Sequence, residues 1–200
     1  LLNLLFSAMI YQRKDFSDLF PAFSIITEVF QIDTIFYHIK TTIKEYVMSL
    51  KNVMVAQSGG PTVAINASLA GVIRGVKESG SYDTVYGSVN GILGILNDKL
   101  LNLSQISNEQ PDFLDCLETT PAMYLGSCRY KLPNFMDDDS PYVYIFKQFE
   151  TYHIGAFFYI GGNDSMDTVL KLSEYGKKIG SDVRVIGIPK TVDNDLCETD

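Results

Sequence analysis

Apolar positions along this chain switch between two periods, and the switches mark out alternating strands and helices. Val53-Met-Val-Ala is an unbroken apolar run that predicts a strand over 53–57. After the turn Ser58-Gly-Gly-Pro-Thr, apolar residues recur at helical spacing (Val63, Leu69, Ala70, Ile73, Val76), which predicts a helix over 62–79. A short strand over 84–86 precedes a glycine-rich loop, Gly87-Ser-Val-Asn-Gly-Ile-Leu-Gly. Helices are expected over 108–117 and 142–152, a buried strand over 156–160, a helix over 165–178 and a strand over 183–188. Strands separated by helices of this length form βαβ units and a parallel sheet. The fold class expected is α/β: a Rossmann-like three-layer parallel sheet with flanking helices.

Residues 1–47 break this pattern. All 15 glycines come after residue 50, and the chain begins with leucine. The first stretch is rich in Phe, Tyr, Ile and Leu, yet it has neither a clean helical nor an alternating period. Met48 stands just before the first strand. The expectation is that 1–47 is an appended leader outside the native domain, and that the domain runs over 48–200. Leu1–Tyr11 is apolar and then meets Gln-Arg-Lys-Asp, the reverse of signal-peptide order.

Charge and cysteine content narrow the functional classes. The net charge is −8 with a pI near 4.7, and no Lys/Arg-rich run exists, which argues against a nucleic-acid partner. No apolar stretch is long enough to cross a membrane as a helix. Cys116, Cys128 and Cys197 follow no CxxC spacing, and there are only two histidines, so a zinc site is not expected. This cysteine usage suits a reducing, cytoplasmic setting. Asp137-Asp-Asp reads as a solvated loop, because three adjacent carboxylates cannot all face one ion.

Three loops at predicted strand ends carry candidate chemistry. In a parallel sheet, ligands bind beyond the carboxyl ends of the strands. At Ser58-Gly59-Gly60-Pro61 two glycines let the backbone approach a ligand, and the next helix directs its N-terminal N–H groups there. It is neither G-x-G-x-x-G nor a Walker P-loop, which disfavours a nicotinamide-dependent oxidoreductase. Gly161-Gly162-Asn163-Asp164 repeats the design with a carboxylate, which can ligate Mg²⁺ or serve the helix start. Pro189-Lys-Thr-Val-Asp-Asn-Asp sets a lysine beside carboxylates. Together they point to phosphoryl transfer, which depends on positioning and charge neutralisation, with an Asp as base toward a hydroxyl acceptor.

These motifs, with Asn90-Gly-Ile-Leu-Gly and Leu125-Gly-Ser-Cys-Arg129, resemble those of the phosphofructokinase family in order and spacing. The resemblance runs from about Lys51 to the end of the chain. The family has ATP-dependent and pyrophosphate-dependent forms, and the ATP type carries Gly at the places of Asp164 and Lys190. Asp and Lys at those places resemble the pyrophosphate type, with the ATP-dependent type as the alternative. The resemblance implies fructose 6-phosphate and diphosphate as substrates, Mg²⁺ as cofactor, and a homo-oligomer, dimer or tetramer, when full length. It implies Asp193 as the base toward the 1-hydroxyl, with Thr191, Val192 and Asp195 beside the sugar. Gly59, Gly60 and Lys190 bind the diphosphate, and Arg129 neutralises the transferring group. Lys190 and Asp164 set donor identity and belong to the catalytic set.

Two departures qualify this. The family usually has Asp where Asn163 stands, so Asn163 and Asp164 are joint candidates for the metal. The family's second half, with its Met-Gly-Arg-type loop and its grip on the sugar 6-phosphate, has no counterpart here. The expectation is an N-terminal, donor-binding and catalytic portion, truncated at the C-terminus and inactive by itself.

Overall fold

Val53, Met54, Val55 and Ala56 are all fully buried, because strand β1 (Asn52–Gln57) runs through the middle of the sheet with an apolar layer on each side. The computed structural model describes residues 37–42 and 50–190. The chain divides into two units, Leu1–Ser49 and Leu50–Asp200. Within the first, 37–42 is helical, with Thr41 Oγ1 donating to the Tyr37 carbonyl. The expected leader therefore lies largely outside the described residues.

In the second unit β1 leads into α1 (Ala64–Ser79) and then β2 (Val85–Ser88). Next come α2 (Ile92–Leu96), β3 (Leu100–Asn102), α3 (Leu103–Glu109), α4 (Phe113–Thr119) and α5 (Ser140–Thr151). The described chain closes with β4 (Ile154–Gly161), α6 (Asn163–Ile179) and β5 (Arg184–Pro189). The sheet order is β3-β2-β1-β4-β5. β1 pairs in parallel with both β2 and β4, and β4 in parallel with β5.

Alternate residues of β1 feed different layers. Val53 and Val55 pack with Ile65, Leu69, Ala70, Ile73 and Val76 of α1 and with Leu103, Phe113 and Leu117 from α3 and α4. Met54 and Ala56 share the opposite cluster with Ile92 and Ile95 of α2, with Tyr142, Ile145, Phe146 and Phe149 of α5, and with Leu172 and Tyr175 of α6. This gives the expected three layers. In α1, Gly71 and Gly75 lie on the exposed side and each costs about 1 kcal/mol of helix propensity. Each buried Ile, Leu or Val on the opposite side returns roughly 1.5–3 kcal/mol, so packing decides the helix.

Four expectations need correction. The sheet is mixed, since β3 pairs antiparallel with β2 (Ser88 opposite Leu100). The chain turns back there through Asn97 and Asp98, the latter at φ +54°, so no crossover intervenes. The predicted helix over 108–117 is two helices, α3 and α4, separated at Gln110-Pro111, where proline cannot continue a helix. Part of the glycine-rich loop is helical, as α2. Val63 is 75% exposed, and Ile65 is the residue that faces the core.

Candidate active site

β1 and β4 are neighbours in the sheet, yet from β1 the chain moves to β2 on one side and later from β4 to β5 on the other. The carboxyl ends of β1 and β4 thus form a topological switch point, the crevice where open α/β sheets bind ligands. Register sets the ends level: Gln57 lies opposite Ile160, and Gly161 opposite Pro189. The ladder runs one residue further on each side, with Ser58 N–H donating to Ile160 O at 2.9 Å and Lys190 N–H to Gly161 O at 3.0 Å. All three candidate loops therefore leave the sheet at one level. A cleft lined by Lys51, Tyr82, Asp182 and Arg184 lies at the opposite ends of these strands, away from all three.

The first turn is held by buried polar side chains. Gln57 is fully buried at the end of an apolar strand and uses both ends of its amide. Nε2 donates to Ile65 O (3.0 Å) and Asn66 Oδ1 (3.1 Å), and Oε1 accepts from Leu125 N–H (2.9 Å). Asn66, also buried, donates to Thr120 O and accepts from Tyr124 N–H. Ser58 Oγ donates to Cys128 O (3.1 Å), Asn90 Nδ2 to Ser127 O (3.1 Å) and Ser127 Oγ to Gly59 O (2.8 Å). Residues 124–129 are thereby strapped across the ends of β1 and β2. Tyr159 on β4 faces the same place, and burial, opposed by a hydrogen bond with Ser58, pushes its hydroxyl up to about 12. It stays neutral at ordinary pH, so it is no candidate base.

The third loop reaches back onto the first. Lys190 Nζ donates to the Gly60 carbonyl oxygen. A Cβ placed on Gly59, which stands at φ +84°, would lie 3.4 Å from both Cε and Nζ of Lys190. Gly59, Gly60 and Lys190 are therefore brought together. The same Cβ would lie 3.5 Å from Gly162 N, so the second turn adjoins the first.

At the second turn Gly162 is the N-cap of α6 and carries no side chain to satisfy the helix start. Asn163 and Asp164 follow in the first turn, where a carboxylate is favoured by the helix dipole. Asp164 is exposed and pairs with Lys131, with Nζ 3.0 Å from Oδ1. Among the described residues no cluster of three His, Cys, Asp or Glu could cage a metal ion. One carboxylate plus one amide fits Mg²⁺ of the kind that takes most of its ligands from substrate phosphates and water. Asp137, Asp138 and Asp139 are exposed, as expected, and Ser140 donates twice to Asp138, holding that carboxyl below its usual range.

Arg129 is exposed on the strap, next to Cys128. Thr191, Val192, Asp193 and Asp195 lie outside the described residues. Sequence reading missed Gln57, Asn66, Asn90 and Ser127 as scaffold and Lys131 as a site cation. Gln57 was legible as a polar residue closing a wholly apolar strand, because such a group needs partners when buried. Lys131 was legible as the second outward position of Cys-Arg-Tyr-Lys-Leu.

Comparisons with known proteins place the chain in a family. Residues 52–200 match the family described as Phosphofructokinase. A pyrophosphate–fructose 6-phosphate 1-phosphotransferase of Methylococcus capsulatus is 42% identical over 154 residues, covering 76% of this chain and 36% of the relative. An ATP-dependent 6-phosphofructokinase of Erwinia tasmaniensis is 31% identical over 151 residues, covering 76% and 42%. The crystal structure of a pyrophosphate-dependent phosphofructokinase from Nitrosospira multiformis aligns with a TM-score of 0.67 at 42% identity, covering 74% of this chain and 36% of that one. The chain thus spans little more than a third of the length of its pyrophosphate-dependent relative. Among the described residues no helix is long and apolar enough to cross a membrane.

Proposed function

The chain belongs to the phosphofructokinase family, and from that premise we propose that it supplies the donor-binding and catalytic portion of a diphosphate-dependent 6-phosphofructokinase. The reaction moves a phosphoryl group from diphosphate to the 1-hydroxyl of fructose 6-phosphate, giving fructose 1,6-bisphosphate and phosphate. The observation that carries this reading is Lys190 lying on the Gly59-Gly60 turn at the switch point, with Asp164 on the adjoining turn. A cation fixed against a glycine turn can grip a diphosphate that has no adenosine to anchor it. A carboxylate beside it adds repulsion and bulk against a longer nucleotide. The greater identity to the pyrophosphate-dependent relative supports the same donor.

In this reading Asp193 takes the proton of the 1-hydroxyl, and Thr191, Val192 and Asp195 line the sugar. Arg129 neutralises the transferring group, and Gly59 and Gly60 contact the donor. Asp164, with Asn163, would hold Mg²⁺, which when bound neutralises phosphate charge. The protein acts as a homo-oligomer in the cytoplasm; Cys116 and Cys128, free among the described residues, support a reducing compartment.

The test is a donor assay on the full-length protein. Turnover is expected with diphosphate and not with ATP. Replacing both residues (Asp164→Gly with Lys190→Gly) is expected to lower kcat/KM for diphosphate at least about tenfold, since the lost Lys190 contact to phosphate is worth roughly 1.5–3 kcal/mol. An unchanged diphosphate rate in the double variant overturns the roles given to these two residues, and turnover with ATP alone overturns the donor.

A further inference from the structure

Residues 128–132 read Cys-Arg-Tyr-Lys-Leu, and burial alternates along them. Leu132 is buried, and Cys128 and Tyr130 pack against the same apolar cluster, while Arg129 and Lys131 are exposed. A burial period of two belongs to extended backbone, which sends Arg129 and Lys131 out on one side. The strap is pinned on both flanks of this pair. Ser58 Oγ donates to Cys128 O at 3.1 Å, Lys171 Nζ to Leu132 O at 3.1 Å and Tyr142 OH to Pro133 O at 2.6 Å. Lys171 is itself held by Asp167 at 2.7 Å. Lys131 thus projects from a fixed point, and its Nζ ends 3.0 Å from Asp164 Oδ1.

Both side chains of that pair are about three-quarters exposed, at 74% and 77%. An exposed pair contributes between nothing and about 1 kcal/mol of stability, so stability is a poor reason for this placement. Position offers a better one. Asp164 sits on the turn that adjoins the Gly59–Gly60 cradle, where its charge opposes a polyanionic donor. A lysine ammonium has three donors, so one contact to Asp164 leaves others for a phosphate oxygen.

We infer that Lys131 is a specificity-determining cation for the phosphoryl donor. In the unliganded protein it neutralises Asp164. When diphosphate binds, it turns a donor hydrogen onto a phosphate oxygen and, with Lys190 and Arg129, completes a ring of three cations. This inference rests on the diphosphate reading given above. It adds a residue that neither the glycine turns nor the Asp164 and Lys190 positions call for.

The test uses the full-length protein and inorganic diphosphate. Lys131→Met is expected to raise the KM for diphosphate about tenfold, while kcat and the KM for fructose 6-phosphate stay within about threefold. Lys131→Arg is expected to recover most of the loss, since it keeps the charge. In an Asp164→Asn background, Lys131→Met is expected still to raise the diphosphate KM. Loss of the effect there means that Lys131 acts only by pairing with Asp164, and overturns the donor contact. An unchanged diphosphate KM in Lys131→Met, with the unaltered protein turning over diphosphate, overturns this inference and leaves the function standing. Absence of diphosphate turnover in the unaltered protein overturns both.

Discussion

After β1, Gly59 stands at φ +84° against the end of Lys190, and Ser127 grips its carbonyl. After β4, Gly162 stands at φ −88° and ψ −160°, and a Cβ there would meet nothing within 4 Å. The two turns share one sequence device, an apolar strand running into Gly-Gly and a helix. At the first turn the glycine is required by backbone conformation, and the side chains of Ser127 and Lys190 hold the turn by its carbonyls. At the second, Gly161 is required by packing, since a Cβ there would lie 2.1 Å from Ser165 Oγ, while Gly162 is constrained by nothing nearby. One turn presents a fixed backbone, and the other presents an exposed carboxylate. The same dipeptide therefore answers two different physical demands, conformation at Gly59 and packing at Gly161.

The sharpest way to break this contrast is to cut the network under the first turn. Gln57→Leu keeps the strand apolar but leaves the buried Leu125 N–H and the Asn66 amide short of partners. Each buried polar group left unpaired costs about 1–3 kcal/mol, so the expected loss is about 2–4 kcal/mol, or roughly 5–15 °C in Tm. The matching change at the second turn, Asp164→Asn, removes only an exposed ion pair and is expected to stay within about 0.5 kcal/mol. Thermal melts of the two variants side by side decide it. Equal losses would mean that the turns are held alike.

How much of this was legible in the sequence follows from the same physics. β1, α1, α5, β4, α6 and β5 were read close to their places because each is long enough for its period to show. β3 was missed because three residues, Leu100–Asn102, cannot display an alternation. The Gly-Gly turns and Lys190 were found because glycine and charge stand out against apolar runs. Lys131 was passed over because a lone exposed lysine looks like any surface lysine until Asp164 is found 3.0 Å away. Contacts between residues far apart in the chain, such as Gln57 with Leu125, have no local signature.

A smaller effect is expected at the first turn's own glycine. A left-handed backbone disfavours a Cβ by about 1–2 kcal/mol, so Gly59→Ala is expected to lower stability by that amount. The added methyl also presses at 3.4 Å on Cε and Nζ of Lys190, the group proposed to grip the donor. Stability and diphosphate KM should therefore worsen together. A variant as stable as the parent would show that strap and strand end do not fix Gly59 in its positive-φ conformation.

Gly162→Ala is expected to have the smallest effect on stability and, for that reason, separates the turns most cleanly. Its backbone lies in the extended region open to any residue, and the new methyl has no neighbour to strike. Restricting the unfolded chain gains about 0.4–1 kcal/mol, which offsets what Ala loses to Gly as an N-cap, so stability is expected to stay within about 0.5 kcal/mol of the parent. The methyl nonetheless stands on the turn that adjoins the Gly59–Gly60 cradle, where the donor is proposed to lie. A diphosphate KM raised about tenfold, equivalent to about 1.4 kcal/mol of binding, is the expected outcome in a protein that melts close to its parent. A markedly lowered Tm would mean that Gly162, like Gly59, is a structural glycine, and the contrast between the turns would collapse. An unchanged KM would place the donor elsewhere and leave the openness of this position without a use.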